Sequence, residues 1–376
     1  MLSRIESTRR RTLQALGLGG AAALAGCTNE APTAEDAERE TTAKQQTAAA
    51  TKSPEVDRVA ADPTDLPDPI DRDEPKRHEI TLEVEEVRAE IEPGVTFDYM
   101  TFGGQVPGPM IRVRQGDTVS LTLDNLPENA MPHNVDFHAV YGTGGGNVAT
   151  TAAPGEANAV EFQARYPGAF IYHCAVPNLD VHIASGMFGM ILVEPKEGLP
   201  EVDRELYLGQ NEIYTDKPAG AEGQHGFDID AMKREDPTYV VLNGEKYALT
   251  PDRHGAVTAE QGESIRVFFV DGGPNLSSNF HPIGNVWTEA YRDGGGLAAG
   301  DPERNIQTMK VPPGSCMVGR LETPVPEHIK LVDHALSRVV HKGMLGVIDV
   351  QGEEKPDIFD PSPDLPASED EEGPAY

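Results

Sequence analysis

Three soft metal ligands lie close together in the middle of this sequence. Cys174, His182 and Met187 follow one another at short intervals. A thiolate, an imidazole and a weak axial thioether, completed by a second imidazole, form the ligand set of a blue-copper centre. His173 directly precedes Cys174, and neighbouring side chains of an extended strand point to opposite faces. If both residues bind metal, they therefore bind two different ions that are joined through one peptide unit.

A second cluster supplies the missing imidazole. His133, Asp136 and His138 stand within the stretch 131–138. With the two-residue period of a strand, Asp136 and His138 share one face and His133 lies on the other. The simplest assignment therefore puts His133 at the blue-copper site. It puts His138 with His173 at a second copper, with Asp136 beside it.

Two imidazoles do not complete a stable metal site, so a third ligand must come from elsewhere in the chain. His334 is the candidate, because the motif around it repeats the motif around His173. Three imidazoles with one open position are the arrangement of a catalytic metal site. His281 is a further candidate for chemistry, because it lies where the second half of the chain corresponds to the first ligand cluster.

The elements that must position these residues are strands. The run 79–85 alternates polar and apolar residues, and so do the runs 111–114 and 119–123. Glycine and proline interrupt nearly every run, and the long helical periodicity of an α/β fold is missing. This pattern predicts an all-β chain made of sandwiches.

The sequence also repeats itself, which predicts two sandwiches in tandem. Gln-Gly-Asp-Thr-Val at 115–119 reappears as Gln-Gly-Glu-Ser-Ile at 261–265. His-Cys-Ala at 173–175 reappears as His-Ala-Leu at 334–336, with alanine in place of the cysteine. The second sandwich is therefore expected to hold no blue copper of its own.

Composition divides the rest of the chain. Residues 1–27 have the features of a twin-arginine export signal that ends in a lipoprotein-like box, in which Cys27 would carry the lipid. Residues 28–75 and 353–376 contain few large apolar side chains, which predicts a disordered tether and an acidic disordered tail. The two sandwich domains would then span 76–195 and 196–352.

The formal net charge of −31 restricts the partners. Such a surface repels nucleic acid and anionic lipid, so neither is expected as a binding partner. It suits a protein kept soluble in strong brine, where salt screens the repulsion, although an acidic secreted protein in ordinary salt is the alternative. The export signal predicts a location on the outer face of the cytoplasmic membrane, in a periplasm-like or extracellular space, with a lipid anchor at Cys27.

Together these motifs resemble those of the copper-containing nitrite reductases. The resemblance covers about residues 78–350. It rests on five stretches: His-Asn-Val-Asp-Phe-His at 133–138, Tyr-His-Cys-Ala at 172–175, His-Ile-Ala-Ser-Gly-Met at 182–187, Ser-Asn-Phe-His-Pro-Ile-Gly at 278–284 and Leu-Val-Asp-His at 331–334. It implies two Greek-key β-sandwich (cupredoxin) domains per subunit, a homotrimer, and copper as the cofactor, with two ions per subunit.

The same resemblance implies the role of each site residue. A type 1 copper would have four ligands: His133, Cys174, His182 and Met187. A type 2 copper would take its three ligands from two subunits: His138 and His173 from one, and His334 from its neighbour. Asp136 and His281 match the active-site acid pair of the family, and Ile283 matches the apolar residue over the substrate.

The expected reaction is the one-electron reduction of nitrite to nitric oxide in denitrification, which consumes two protons and releases water. A small redox donor, a cupredoxin or a cytochrome c, would reduce the type 1 copper, and the electron would pass through Cys174 and His173. Nitrite would replace a water at the type 2 copper, and Asp136 and His281 would supply protons. The acidity and the signal resemble those of a halophilic archaeon.

Two other functions stay open on the sequence alone. A laccase-like multicopper oxidase needs several His-x-His pairs for its trinuclear cluster, and this sequence has none. A copper electron-transfer protein needs only the blue-copper site, which would leave four histidines unexplained: His138, His173, His281 and His334. Two coppers per chain together with nitrite-dependent formation of nitric oxide would separate the three functions.

Overall fold

The computed structural model describes residues 55–363, which form a mostly-β structure. Its strands are β1 (Arg77–Glu92), β2 (Val95–Phe102), β3 (Ile111–Arg114), β4 (Thr118–Asn125), β5 (Asp136–Phe137), β6 (Ala157–Gln163), β7 (Gly168–His173), β8 (Phe188–Glu194), β9 (Arg204–Ile213), β10 (Gly223–His225), β11 (Tyr239–Leu242), β12 (Val257–Glu260), β13 (Ser264–Gly273), β14 (Ser278–Ile283), β15 (Trp287–Tyr291), β16 (Glu303–Ile306), β17 (Met309–Val311), β18 (Ser315–Glu322), β19 (Glu327–Asp333) and β20 (Leu345–Gln351). The short helices are α1 (Asn147–Thr150), α2 (Leu179–Ala184) and α3 (Ile229–Lys233). There are also 3-10 turns at Thr143–Gly146, Arg292–Gly294 and Leu297–Ala299, and a π-helical turn at Arg338–Lys342.

The strands form two sandwiches of two sheets each, as the internal repeat predicts. The first sandwich pairs the sheet β10-β2-β1-β4-β6 with the sheet β3-β8-β7-β5. The second pairs the sheet β11-β9-β13-β18-β15-β16 with the sheet β12-β20-β19-β14-β17. The short β10 comes from the second half of the chain, yet it pairs with β2 of the first sandwich. The prediction of an all-β, two-sandwich fold is confirmed.

Two burial patterns distinguish the strands. β4 alternates, with Val119, Leu121 and Leu123 facing the core and the residues between them facing outward. β8 and β13 are buried along their whole length, because each has its own core on one face and the other sandwich on the second. Each large apolar side chain buried there contributes roughly 1.5–3 kcal/mol. The strands nearest the predicted ligands are therefore held from both sides.

The connection between β7 and β8 carries three of the four predicted type 1 ligands. It contains α2, which follows Asn178 in a left-handed conformation (φ 68°). It ends at Gly186, which has φ 117°, and an added Cβ there would lie 2.6 Å from Val106 Cγ2. Only glycine fits this turn, and the turn brings Met187 back beside Cys174, whose N–H donates to the Met187 carbonyl at 3.2 Å.

The prediction of a disordered tether is wrong for the residues 55–75. Val59, Ala60 and Ala61 are buried. The Val59 carbonyl accepts from the Val106 N–H at 2.9 Å, and the Ala61 N–H donates to the Val106 carbonyl at 3.0 Å. The segment has few apolar residues, but they lie where its backbone can pair with ordered strands. Composition alone does not report that pairing.

A buried carboxylate fastens this N-terminal segment to the second sandwich. Glu245 Oε1 accepts the N–H groups of Val59 and Ala60 at 3.0 and 3.1 Å. Glu245 Oε2 accepts from Arg253 at 3.0 Å and from His254 at 2.6 Å. The Glu245 side chain is 1% exposed. Removing such a buried acceptor leaves its donors unpaired, which costs about 1–3 kcal/mol.

The structure describes only part of the predicted terminal segments. The signal with Cys27, the first part of the tether and the last part of the tail lie outside the described residues. Residues 353–363, the described part of the tail, are exposed throughout. Between residues 55 and 363, no helix combines the length and the apolar character needed to cross a membrane.

Glu245→Ala is expected to lower the free energy of unfolding by about 1–3 kcal/mol, because two backbone N–H groups of the N-terminal segment lose their acceptor. The midpoint of urea unfolding measures this loss. Asp357→Ala, in the exposed tail, is the control and should leave the midpoint unchanged. Equal midpoints for the two variants would show that Glu245 does not hold the segment.

Candidate metal centres

One buried site brings together His133, Cys174 and His182. Nδ1 of His133 lies 3.2 Å from Nδ1 of His182, and Cys174 Sγ lies 3.5 and 3.9 Å from the His182 and His133 nitrogens. Each residue is at most 1% exposed. Within residues 55–363, this is the only group of three or more His, Cys, Asp or Glu side chains whose ligand atoms lie within 4.8 Å of one another. Two imidazoles and a thiol converging in this way fit one soft metal ion.

Met187 lies in the same buried apolar cluster as Cys174 and is fully buried. Its N–H donates to the His182 carbonyl at 3.1 Å, and its carbonyl accepts from the Cys174 N–H at 3.2 Å. The backbone of the β7–β8 connection thus ties the thioether residue to two of the three converging ligands. His133 is held separately, by backbone hydrogen bonds to Ala152 in both directions at 3.0 and 2.9 Å.

Burial sets the protonation of this site. The pKa of His182 is lowered to about 4, first by burial and then by the neighbouring His133. Its imidazole is therefore neutral near pH 7, which is the form that binds a metal. Burial raises the pKa of Cys174, so the metal-free site holds a thiol. Metal binding must release that proton, and metal affinity should therefore fall as the pH falls.

Glu86 supports the site although nothing in its sequence context indicates this. The Nε2–H of His133 donates to Glu86 Oε1 at 3.1 Å, and the Met131 N–H donates to the same oxygen at 2.9 Å. Burial opposes the ionisation of Glu86, but these hydrogen bonds outweigh it and lower its pKa. A carboxylate behind a ligand imidazole fixes the ring orientation and its tautomer. Glu86 belongs to β1, far from the ligands along the chain, so no local spacing reveals it.

Asn134 is the second supporting residue, and it lies inside the ligand cluster of the sequence. Its Oδ1 accepts from the Ala175 N–H at 2.7 Å and lies 3.8 Å from Cys174 Sγ. It therefore links the loop that carries His133 to the loop that carries Cys174. The sequence shows that Asn134 is near a ligand, but only the structure shows this link.

A pair of histidines, His138 and His173, lies beside the end of β7. Their Nε2 atoms are 3.1 Å apart. The Nδ1–H of His173 donates to the Cys174 carbonyl at 3.0 Å, which leaves Nε2 of His173 free to bind a metal. Two nitrogens that share a metal at about 2.0–2.1 Å lie about 3 Å apart. The pair therefore fits half of a metal site, one peptide unit away from Cys174.

Acidic groups and a backbone contact surround His138. Burial and then the charge of His173 lower the pKa of His138, while Asp136, Asp293 and a hydrogen bond to the Gly314 backbone act in the opposite direction. Asp136 lies opposite His173 in the β5–β7 register. Asp293 and Gly314 come from the second sandwich, which contributes to the surroundings of this pair within the same chain.

His334 and His281 form a separate pair in the second sandwich. Their ring centroids are 5.3 Å apart. His334 is exposed, and its N–H donates to the Asn279 carbonyl at 2.8 Å. Ile283, two residues beyond His281 on β14, is half-buried. Among the described residues, His334 does not join His138 and His173 in a three-ligand group. One chain therefore carries two halves of the predicted type 2 site, and it does not bring them together.

Comparisons with known proteins show which family the chain is similar to. A family model described as "Multicopper oxidase" matches residues 83–198. The chain is 44% identical over 306 residues to the copper-containing nitrite reductase of Neisseria meningitidis serogroup B, which covers 81% of this chain and 77% of that protein. It is 34% identical over 303 residues to the enzyme of the same name from Cereibacter sphaeroides, which covers 76% of this chain and 79% of that one.

A solved structure extends the agreement to the fold. The copper nitrite reductase from Nitrosomonas europaea superposes with a TM-score of 0.66 at 33% identity, over 75% of this chain and 96% of that one. These relatives are matched over most of their length and over about three quarters or more of this chain. The chain therefore belongs to the copper-containing nitrite reductase family.

Proposed function

We propose that this protein reduces nitrite to nitric oxide by one electron, with a type 1 and a type 2 copper in each subunit. The type 1 ligands would be His133, Cys174, His182 and Met187. The type 2 ligands would be His138 and His173 of one subunit and His334 of the next. The observation that supports this best is the direct link between Cys174 of the buried site and His173 of the histidine pair.

Copper bound at these sites would supply one-electron transfer at the first and nitrite binding at the second. The protein itself would separate the electron-transfer site from the substrate site and connect the two by a short covalent path. Cys174 lies in a fully buried site, so the electron-transfer site is shielded from water and from nitrite. His173 is bonded covalently to Cys174, and its Nδ1–H donates to the Cys174 carbonyl. The connection between the sites is therefore short and fixed.

The two histidine pairs support an active site shared between subunits. Among residues 55–363, no third ligand joins His138 and His173, and the exposed His334 belongs to no group of three ligands. A homotrimer in which each site joins two subunits would satisfy both halves.

Asp136 and His281 would deliver the protons. The reaction joins one nitrite, two protons and one electron to give nitric oxide and water, so a proton must reach the departing oxygen. The Nδ1–H of His281 donates to the Gln307 carbonyl, which leaves its Nε2 free to face the substrate. Asp136 is half-buried, and its negative charge acts to raise the pKa of His138. A carboxylate and an imidazole suit proton transfer near neutral pH.

The alternatives have less support. An electron-transfer protein would leave both histidine pairs without a role. A laccase-like multicopper oxidase would need more histidines in one cluster than the described residues supply outside the buried site.

We also propose that the protein is exported to the outer face of the cytoplasmic membrane, is anchored there by lipid on Cys27, and comes from a halophilic archaeon. A small cupredoxin or a cytochrome c would be its electron donor. The support is the sequence of residues 1–27 and the net charge of −31.

Cys174→Ala is expected to remove the blue or green colour and the donor-driven turnover, because the thiolate gives the strong visible absorption and links the two sites. Visible absorption and electron paramagnetic resonance on one sample measure both copper types. The type 2 signal should remain. Cys316→Ala is the control, since Cys316 is also a buried free thiol, and it should keep the colour. A coloured, active Cys174→Ala protein would contradict the type 1 assignment.

His334→Ala and His138→Ala should each lose the type 2 copper and keep the colour. If the site joins two chains, co-expression of the two variants should restore type 2 copper and activity. In a mixed trimer, one intact His138 then meets one intact His334, at about one site in three. Recovery is measured on purified mixed oligomers. If no mixture recovers copper, or if a monomer is fully active, the two-chain site is wrong.

Asp136→Asn and His281→Ala should each keep both copper signals and lose nitrite turnover, on the order of 10²–10⁴-fold for a lost proton-transfer group. Turnover across a pH series, with copper spectra at each point, measures both effects. If Asp136 only orients a ligand, its loss should instead weaken type 2 copper binding by ~10–100-fold. Unchanged turnover in either variant would end the proton-delivery proposal for that residue.

A further inference from the structure

The second sandwich has no blue-copper ligands where the first one has them, and a buried carboxylate lies there instead. In the first sandwich, Phe137 of β5 pairs with Tyr172 of β7, just before the ligand loop. In the second, Phe280 of β14 pairs with Asp333 of β19, just before the corresponding loop. Asp333 therefore occupies the register position of Tyr172, at the equivalent end of its sandwich.

Asp333 makes contacts that join three segments. Its Oδ1 accepts from the N–H and Nδ2–H of Asn279, both at 3.1 Å, and from the Ala335 N–H at 3.0 Å. Its Oδ2 contacts Nη1 of Arg338. The same Nη1 donates to the Ser277 carbonyl at 2.7 Å. The Asp333 side chain is fully buried, so no water replaces these contacts.

These contacts fix the backbone immediately before and after His334. The residue before it, Asp333, and the residue after it, Ala335, both belong to the network. The His334 N–H itself donates to the Asn279 carbonyl at 2.8 Å. The His334 ring remains exposed, packed only beside the ring of His281 among the ring contacts of the described residues. The main chain is thus fixed while the ligand ring stays presented to the outside.

We infer that the Asp333–Arg338 ion pair is a positioning device that holds His334 ready for the type 2 copper of a neighbouring subunit. This inference rests on the proposed function. In the first sandwich, a bound metal would tie the ligand loops together. His334 must reach a metal held by another chain, so its loop has to be ordered before that metal is shared. A ligand held within a narrow range of positions binds more tightly than one that must first be ordered.

A buried ion pair does not by itself indicate a stabilising role, because desolvation of the two charges can outweigh their attraction. The Asp333–Arg338 pair differs from other buried ion pairs because Asp333 directly precedes the proposed ligand His334. The chain also contains a similar buried ion pair that is not next to a proposed ligand, and this pair can serve as a control. Asp117 is also fully buried and paired with Arg72, and it accepts the N–H groups of Arg114 and Lys76, both at 2.8 Å. The side chains of Arg72 and Arg338 are similarly exposed, at 25% and 20%.

The experiment compares Asp333→Asn with Asp117→Asn in the copper-loaded full-length protein. Type 2 copper affinity is measured by competition with a chelator, and its surroundings by the hyperfine splitting in electron paramagnetic resonance. Asp333→Asn should weaken type 2 binding by about 10–100-fold and change the type 2 splitting, with the type 1 absorption unchanged. Asp117→Asn should lower thermal stability without either effect on the type 2 copper.

Arg338→Lys provides a second test if Asp333→Asn fails to fold. Lysine keeps the positive charge, but its flexible ammonium does not reproduce the fixed position from which the Arg338 Nη1 contacts both Asp333 and the Ser277 carbonyl. It should weaken type 2 copper less than Asp333→Asn does. Wild-type copper affinity and splitting in these variants would overturn the inference. So would equal weakening in Asp117→Asn, because that would indicate general destabilisation. A wild-type protein that binds no type 2 copper would instead overturn the proposed function, and this inference with it.

Discussion

The structure depends on a simple constraint, which is that neighbouring residues of an extended chain face opposite ways. At the end of β7 this sends Cys174 into the first sandwich and His173 toward His138. Each residue then meets a different environment. The thiol is fully buried among apolar side chains, while His173 lies next to the exposed His138. A site for electron transfer and a site open to a small substrate can therefore be one peptide unit apart without sharing a ligand.

The two sandwiches use different contacts to hold their equivalent loops in place. In each sandwich, these loops leave the paired strands at one end. The first gathers His133, Cys174 and His182 within 3.9 Å of one another, which is a site that only a metal completes. The second uses the contact between Asp333 and Arg338, which needs no metal. Ala335 stands where the first sandwich has Cys174, but the second sandwich does not need a metal ligand at this position to hold its loops. This end is held by hydrogen bonds and an ion pair within the chain, which is compatible with the proposal that this sandwich presents His334 to a neighbouring subunit.

The parts of the structure that sequence predicts best are those with a short period. Strand alternation and the internal repeat predict both sandwiches, and the spacing of His and Cys predicts which residues converge at the buried site. The features that the sequence does not predict depend on contacts between segments that are far apart along the chain. Glu86 reaches His133 from β1, and nothing around it differs from an ordinary strand residue. The stretch 55–75 has the composition of a tether, yet Glu245 holds its backbone from far along the chain. Composition measures apolar content and is silent about such hydrogen bonds.

The proposed two-chain site implies an order of assembly. The buried site is complete within one chain, so it can take up its metal as soon as the first sandwich folds. If a second chain supplies the third ligand, His334, as proposed, the His138–His173 pair would reach its full affinity for copper only after the subunits associate. Binding at the shared site would then add its free energy to the association of the subunits, since a ligand that binds only the assembled state stabilises that state. The hydrogen bonds of Asp333 to Asn279 and Ala335 would lower the entropic cost of that step, because less of the chain would have to be fixed when the subunits meet.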